Sequence, residues 1–182
     1  MSLSWIPNAL TIARCVLAFG VGGLILCAPA FSYMPVIAFV LVALTDFLDG
    51  WAARRLNATS AFGAFLDPVA DKLLVGTSLL ALTALEGWTL VFLIPSAAII
   101  TRDLIATGLR LFPSIEMPVS RLAKWKTALE MIGIAGVLVA SPWLNEILRT
   151  GGIALVWLAA FLSVYTLGLY VGAILAETKR PR

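Results

Sequence analysis

The sequence predicts an all-α integral membrane protein with six transmembrane helices, and three observations carry that expectation. Hydrophobic residues make up 61% of the 182 positions and charged residues only 13%. Mean hydropathy is +1.00. The chain also divides into apolar runs near the ~20 residues that a bilayer needs, separated by short breaks bearing proline, glycine or serine. This composition is unlike that of a soluble domain, and a single membrane-embedded domain over residues 1–182 is the expected organisation. Met1 to Ser4 carries no basic side chain and so lacks the charged start of a cleavable signal peptide. Cys15 and Cys27 lie in apolar surroundings and read as packing residues, not as a disulfide framework or a metal knuckle.

Taken in order, the first helix opens at Pro7-Asn8 and runs to about Cys27, with Arg14 its one charge. Asn8 and Thr11 suit helix-start capping as well as a binding role. A turn at Ala28-Pro29-Ala30 and Ser32 leads to the second helix, from about Met34 to Arg55. The third spans about Gly63 to Leu85, and Glu86-Gly87 supplies a C-terminal stop. The fourth covers about Trp88 to Phe112, with Pro95 as a tolerated kink and Arg102-Asp103 embedded in it. A polar connection from Pro113 to Arg121 precedes the fifth, from about Leu122 to Ala140. Ser141-Pro142 is expected to break that helix, and the sixth to run from about Gly152 to Ala176.

Charge placement orients the set. With the N-terminus inside, one side collects Arg54, Arg55, Arg110, Arg121, Lys124, Lys126, Lys179, Arg180 and Arg182, and the connections opposite hold only Arg149 among bases. The positive-inside tendency makes the first side cytoplasmic. Net charge of +3 then fits an anionic leaflet better than nucleic acid.

The chemistry concentrates between Asp46 and Asp71. Four of the ten acids, Asp46, Asp49, Asp67 and Asp71, stand here in or beside apolar segments, although a carboxylate at mid-bilayer costs roughly 2.5–3.5 kcal/mol. On helices, Asp46 and Asp49 share one face and Asp67 and Asp71 share another, both within about two turns of the intervening connection. Four converging carboxylates with no histidine or thiol nearby form an all-oxygen site suited to Mg²⁺ or Mn²⁺. Gly50 and Gly63 allow close approach of a bulky ligand, and Arg54 offers a planar guanidinium suited to phosphate. The plainer alternative makes Asp67-Pro68 a helix start and pairs Asp49 with Arg54 or Arg55, and Asp71 with Lys72, as interfacial ions.

This stretch resembles the signature of the CDP-alcohol phosphotransferases, Asp-Gly-x2-Ala-Arg-x8-Gly-x3-Asp-x3-Asp. It reads here as Asp49, Gly50, Ala53, Arg54, Gly63, Asp67 and Asp71, with the upstream Asp46 also matching. The resemblance implies the fold of that family and an enzyme that moves a substituted phosphoryl group from a CDP-linked donor to an alcohol, releasing CMP. It further implies two divalent cations on Asp46, Asp49, Asp67 and Asp71, with Asp71 as general base. Asn8, Thr11, Gly50, Ala53, Arg54, Ser60 and Gly63 are implied contacts of the cytidine diphosphate. A homodimer is implied as well.

A second polar set comprises Arg102, Asp103, Arg110, Arg121, Lys124 and Lys126. A pocket with acids on one wall and bases on the other suits a metal-bound diphosphate and an anionic acceptor. Snorkelling at the interface is the better account of Arg121. Thr101-Arg102-Asp103, Gly108-Leu-Arg110 and Pro118 to Thr127 resemble segments of the family's branch that forms phosphatidylglycerophosphate, although that branch usually has Glu at 103, an acid at 111 and Gln at 130. The implied donor is CDP-diacylglycerol and the implied acceptor sn-glycerol 3-phosphate, its phosphate bound by Arg102, Arg110, Lys124 and Lys126. Two alternatives stand beside this: a cardiolipin synthase using phosphatidylglycerol as acceptor, and a divalent-cation transporter, which would place its polar site at the midplane of paired repeats. Asp71→Asn is expected to abolish CMP release while the protein stays folded in detergent; turnover retained in that variant would remove Asp71 from the chemistry.

Overall fold

Helix-forming apolar runs dominate the chain, and the computed structural model consists of helices joined by short turns, with no strand among its described residues. The structure describes residues 5–29, 32–56, 61–110, 121–143 and 145–178; side chains are described at 11–29, 32–45, 69–109, 122, 125–140 and 145–172. The helices are α1 (Trp5–Cys27), α2 (Met34–Leu56), α3 (Ala61–Leu85), α4 (Leu90–Arg110), α5 (Arg121–Trp143) and α6 (Glu146–Thr178). Among the described residues, two stretches, Leu90–Leu109 and Glu146–Gly172, are long and apolar enough to cross a membrane by themselves. Shorter apolar stretches occupy Thr11–Cys27 and Met34–Thr45.

The bundle inverts the pattern of a water-soluble protein. Large apolar side chains cover its outside, among them Phe161 at 68% exposure and Val16 at 66%. Arg14, Arg102, Asp103, Lys126 and Glu130 are buried within. Soluble monomers seldom expose continuous apolar surface on this scale. The core between the helices is itself apolar, built around Phe39, Leu79, Phe92, Ile99, Ile134 and Val156.

The tightest packing joins α5 to α6 and α1 to α3. At the α5–α6 crossing the backbones touch: a Cβ built on Gly152 would lie 2.7 Å from Val137 N and 2.9 Å from Gly133 O. Small residues let helices meet this closely where lipid leaves little hydrophobic drive for association. Thr77 ties α3 to α1 by donating from Oγ1 to the Ala18 carbonyl at 2.9 Å.

Helix ends follow local chemistry, with corrections to the expected boundaries. Glu86-Gly87 does stop α3: Gly87 adopts φ 68° and Trp88 φ 59°, Gly87 N donates to Ala84 O at 3.1 Å, and Trp88 N to Thr83 O at 2.8 Å. This is the Schellman arrangement, in which a left-handed glycine lets the last carbonyls find donors. With Trp88 also left-handed, α4 starts at Leu90 and not at Trp88. Ser141-Pro142 does not break α5, which continues to Trp143, and α6 begins at Glu146 instead of Gly152. Asn145 caps α6 through Oδ1, which accepts from Ile147 N and Leu148 N at 3.1 Å each. Gly151-Gly152 therefore lies inside the helix, where Gly152 serves the close crossing.

Pro95 stays inside α4. Lacking an N–H, it leaves the Val91 carbonyl without its usual donor four residues on. Trp157 of α6 supplies that donor from Nε1 at 3.0 Å, so the interruption becomes an interhelical bond. Gly152→Ala is expected to destabilise the protein by roughly 1–3 kcal/mol through overpacking. Gly151→Ala, with nothing within 4 Å of the added carbon, should be neutral or stabilising by up to about 1 kcal/mol. Thermal unfolding of the two variants in the same detergent checks the contrast.

Candidate active site

The acids of the motif sit where α2 ends and α3 begins. Asp46 and Asp49 lie in the last three turns of α2, and Asp67 and Asp71 in the first three of α3. Both pairs are helical, so the spacings of three and four put each pair on a single face. Because α3 starts at Ala61, Asp67 lies well inside the helix and is not its N-cap, which removes the plainer account of Asp67-Pro68. Gly50, Ala53 and Arg54 follow on α2, and Gly63 opens α3. The side chains at 46, 49, 54 and 67 lie outside the described ones, and Ser60 lies outside the described residues altogether.

Asp71 is described and partly buried. The charges acting on it come from Asp103, Lys72, Lys126 and Arg14, so the last acid of the motif stands within electrostatic range of the basic set on α4 and α5. Thr11 and Arg14, three apart on α1, are both buried, at 2% and 5% exposure, and turn the same helix face inward. Asn8 belongs to that face by spacing, its side chain outside the described ones.

The basic set is organised around one carboxylate. Asp103 Oδ1 accepts from Arg102 Nη1 at 2.8 Å and from Lys126 Nζ at 2.6 Å. Glu130, one turn beyond Lys126 on α5, stands 3.0 Å from the same ammonium. Its Oε1 is close without being aligned for a hydrogen bond, so Glu130 acts on Lys126 chiefly through charge. All four groups are buried. Arg102 also reaches α6, where Nη2 donates to Thr166 Oγ1 at 3.3 Å and the guanidinium carbon lies 5.7 Å from the centre of the Tyr170 ring. From α3, Lys72 Nζ donates to the Asp103 carbonyl at 2.9 Å and to Thr107 Oγ1 at 2.7 Å. Helices α3, α5 and α6 therefore converge on the adjacent Arg102 and Asp103 of α4.

Of the bases expected to meet an acceptor phosphate, the structure brings Arg102 and Lys126 together through Asp103. Arg110 ends α4 and Lys124 lies in the first turn of α5, their side chains outside the described ones. Sequence reasoning missed Arg14, Lys72, Thr166 and Tyr170. One signal was available for α6: Ser163, Thr166 and Tyr170 fall at spacings of three and four in an otherwise apolar helix, the mark of a polar stripe turned to one side.

At the other end of the bundle, Arg149 Nη2 donates to Glu86 Oε2 at 2.6 Å. The two side chains are 36% and 28% exposed. This pair joins the α3–α4 turn to the start of α6, far along the helices from the motif.

Comparison with known proteins adds the following. Residues 4–165 match the family described as CDP-alcohol phosphatidyltransferase. A protein of Rickettsia bellii named CDP-diacylglycerol–glycerol-3-phosphate 3-phosphatidyltransferase is 37% identical over 171 residues, covering 88% of this chain and 90% of its own. One of Haemophilus influenzae with the same name is 34% identical over 173 residues, 91% of each chain. One of Arabidopsis thaliana, named as form 2 of that enzyme, is 36% identical over 150 residues, 75% of this chain and 64% of its own.

The two ion-pair sites should respond differently to substitution. Lys126→Met leaves Asp103 and Glu130 buried without their shared cation and is expected to cost roughly 3–5 kcal/mol. Arg149→Met at the partly exposed pair should cost about 0–1 kcal/mol. Unfolding of both variants, followed by loss of helix signal on heating, gives the comparison, and equal losses would contradict the buried network.

Proposed function

The chain belongs to the CDP-alcohol phosphatidyltransferase family, and from that membership we propose that it transfers the phosphatidyl group of CDP-diacylglycerol to sn-glycerol 3-phosphate, giving phosphatidylglycerophosphate and CMP. The observation that carries this reading is the unbroken acidic motif on the adjoining ends of α2 and α3, in a chain whose relatives over most of its length bear that enzyme's name.

The setting is a membrane. The apolar exterior and the two long apolar helices support insertion, and the reading extends to six spans. The ends of α2 and α4 and the starts of α3 and α5 then share the cytoplasmic side, as the excess of bases there requires. A water-soluble acceptor and the head of a membrane-held donor would meet at that surface.

The donor set fits Mg²⁺ or Mn²⁺. Four carboxylates lie on two adjoining helix ends, the sequence has no histidine, and both cysteines are on α1, so oxygen is the ligand on offer. Two cations held by Asp46, Asp49, Asp67 and Asp71 would neutralise the diphosphate and the departing CMP.

The remaining tasks fall to the chain's own groups. Asn8, Thr11, Gly50, Ala53, Arg54, Ser60 and Gly63 hold the cytidine diphosphate, with Arg54 paired to phosphate oxygens. Arg102, Arg110, Lys124 and Lys126 receive the phosphate of glycerol 3-phosphate. Asp71 orients the acceptor hydroxyl and takes its proton as that oxygen bonds to the phosphatidyl phosphorus and the bond to CMP breaks. A carboxylate is a weak base, its ordinary pKa near ~4, so its effect is largely placement of the hydroxyl. The location of Asp71 within range of Lys126 and Arg14 supports a donor and an acceptor brought together there.

Purified protein in detergent, given CDP-diacylglycerol with Mg²⁺ or Mn²⁺, is expected to release CMP with glycerol 3-phosphate and not with phosphatidylglycerol, serine or inositol 1-phosphate. A chelator should abolish the release and added Mg²⁺ or Mn²⁺ restore it. Release with phosphatidylglycerol alone would make the protein a cardiolipin synthase.

A further inference from the structure

The phosphoryl transfer just described leaves two buried acids without a task. Asp103 is 8% exposed and Glu130 is 1% exposed. Neither belongs to the acidic motif, yet together they set the geometry of the two buried bases. Asp103 Oδ1 binds Arg102 and Lys126 at once, at 2.8 and 2.6 Å, and Glu130 faces Lys126 at 3.0 Å. No Cα of α4 comes within 8 Å of a Cα of α5 among the described residues. The Asp103–Lys126 pair thus crosses an interval that backbone packing does not close.

Donor counting shows what this arrangement leaves over. An ammonium has three N–H groups and a guanidinium five. Lys126 directs its ammonium at two carboxylates, and Arg102 uses one Nη1 donor on Asp103 and one Nη2 donor on Thr166. Arg102 Nε is buried and has no hydrogen-bond partner among the described residues. Buried donors are ordinarily satisfied, and an unsatisfied one calls for an explanation such as a missing ligand. Lysine and arginine side chains left to themselves sample many rotamers, and fixing them beforehand removes that cost from binding.

We infer that Asp103 and Glu130 are positioning residues of the acceptor subsite: they hold Arg102 and Lys126 in one orientation, with donors left over for the phosphate of the acceptor. The inference rests on the proposed role of Arg102 and Lys126 as ligands of that phosphate. Neither acid touches the reacting atoms. Their influence passes through the bases, so it falls on acceptor binding and leaves the donor and the chemical step aside.

The test is steady-state CMP release, with glycerol 3-phosphate varied at saturating CDP-diacylglycerol and then the reverse. Asp103→Asn should raise the KM for glycerol 3-phosphate by about tenfold or more, while kcat and the KM for CDP-diacylglycerol stay within about threefold. Asp103→Glu, which restores the charge, should recover most of that loss. Glu130→Gln should move the same KM in the same direction by about threefold, because it acts on Lys126 alone. An unchanged acceptor KM in folded Asp103→Asn, or an equal rise in both KM values, would overturn the positioning role. Should Asp103→Asn fail to fold, Glu130→Gln decides in its place, and an unchanged acceptor KM there would overturn it. Wild-type protein that turns over phosphatidylglycerol and not glycerol 3-phosphate marks the failure of the acceptor assignment. The variants are then measured on phosphatidylglycerol, where an unchanged KM sinks the positioning role separately.

Discussion

The interaction on which the site depends is the carboxylate of Asp103 held between Arg102 and Lys126. A charge enclosed in an apolar bundle is tolerated only when it is paired and its remaining hydrogen-bonding capacity is used. Asp103 meets that condition with its side chain toward α5 and its carbonyl toward Lys72 of α3. Arg102 carries the connection to α6 through Thr166. Buried charge thereby links α3, α5 and α6 to α4. Removing one partner leaves the others buried and uncompensated, which is costly.

The same rule, that buried polar groups must find partners, explains the less regular parts of the fold. Pro95 interrupts the ladder of α4, and the exposed Val91 carbonyl is taken up by Trp157. Thr83 and Ser96 share a hydrogen bond of 3.0 Å between α3 and α4. Thr77 finds the Ala18 carbonyl on α1. In hydrocarbon such bonds matter because no water competes to replace them, although each contributes on the order of 1 kcal/mol at most once alternative partners are considered. Close backbone contact at Gly152 does for van der Waals packing what these bonds do for polarity.

Function follows from where these devices leave the charges. The motif acids belong to helix ends beside the 57–60 connection, and Asp71 feels the bases of α1, α3 and α5. In the proposed reaction the diphosphate is negative, the acceptor phosphate is negative and the departing CMP is negative. In that reading, cations on the acidic motif and lysine and arginine opposite would bring these anions together by electrostatic stabilisation and proximity. The opposite end of the bundle holds the partly exposed ion pair between Arg149 and Glu86.

What the sequence by itself determined was the helical class, most helix positions and the acidic motif, because these depend on local signals: apolar run length, the Gly87 stop, and fixed spacings at Asp46, Asp49, Asp67 and Asp71. The match to a known family likewise rests on such linear spacings. Local signals failed where a neighbouring helix overrode them. Ser141-Pro142 reads as a break and Gly152 as the start of the sixth helix, yet α5 continues to Trp143 and α6 begins at Glu146, where Asn145 caps it, and Gly152 sits inside α6 close against Val137. Only the tertiary structure decided that Asp103 joins Arg102 to Lys126, that Thr166 and Tyr170 attend Arg102, and that Lys72 pins α3 to α4. The partners on different helices are separated by 23 to 68 positions in the chain, and a spacing of that length carries no geometric information until the helices between them have packed.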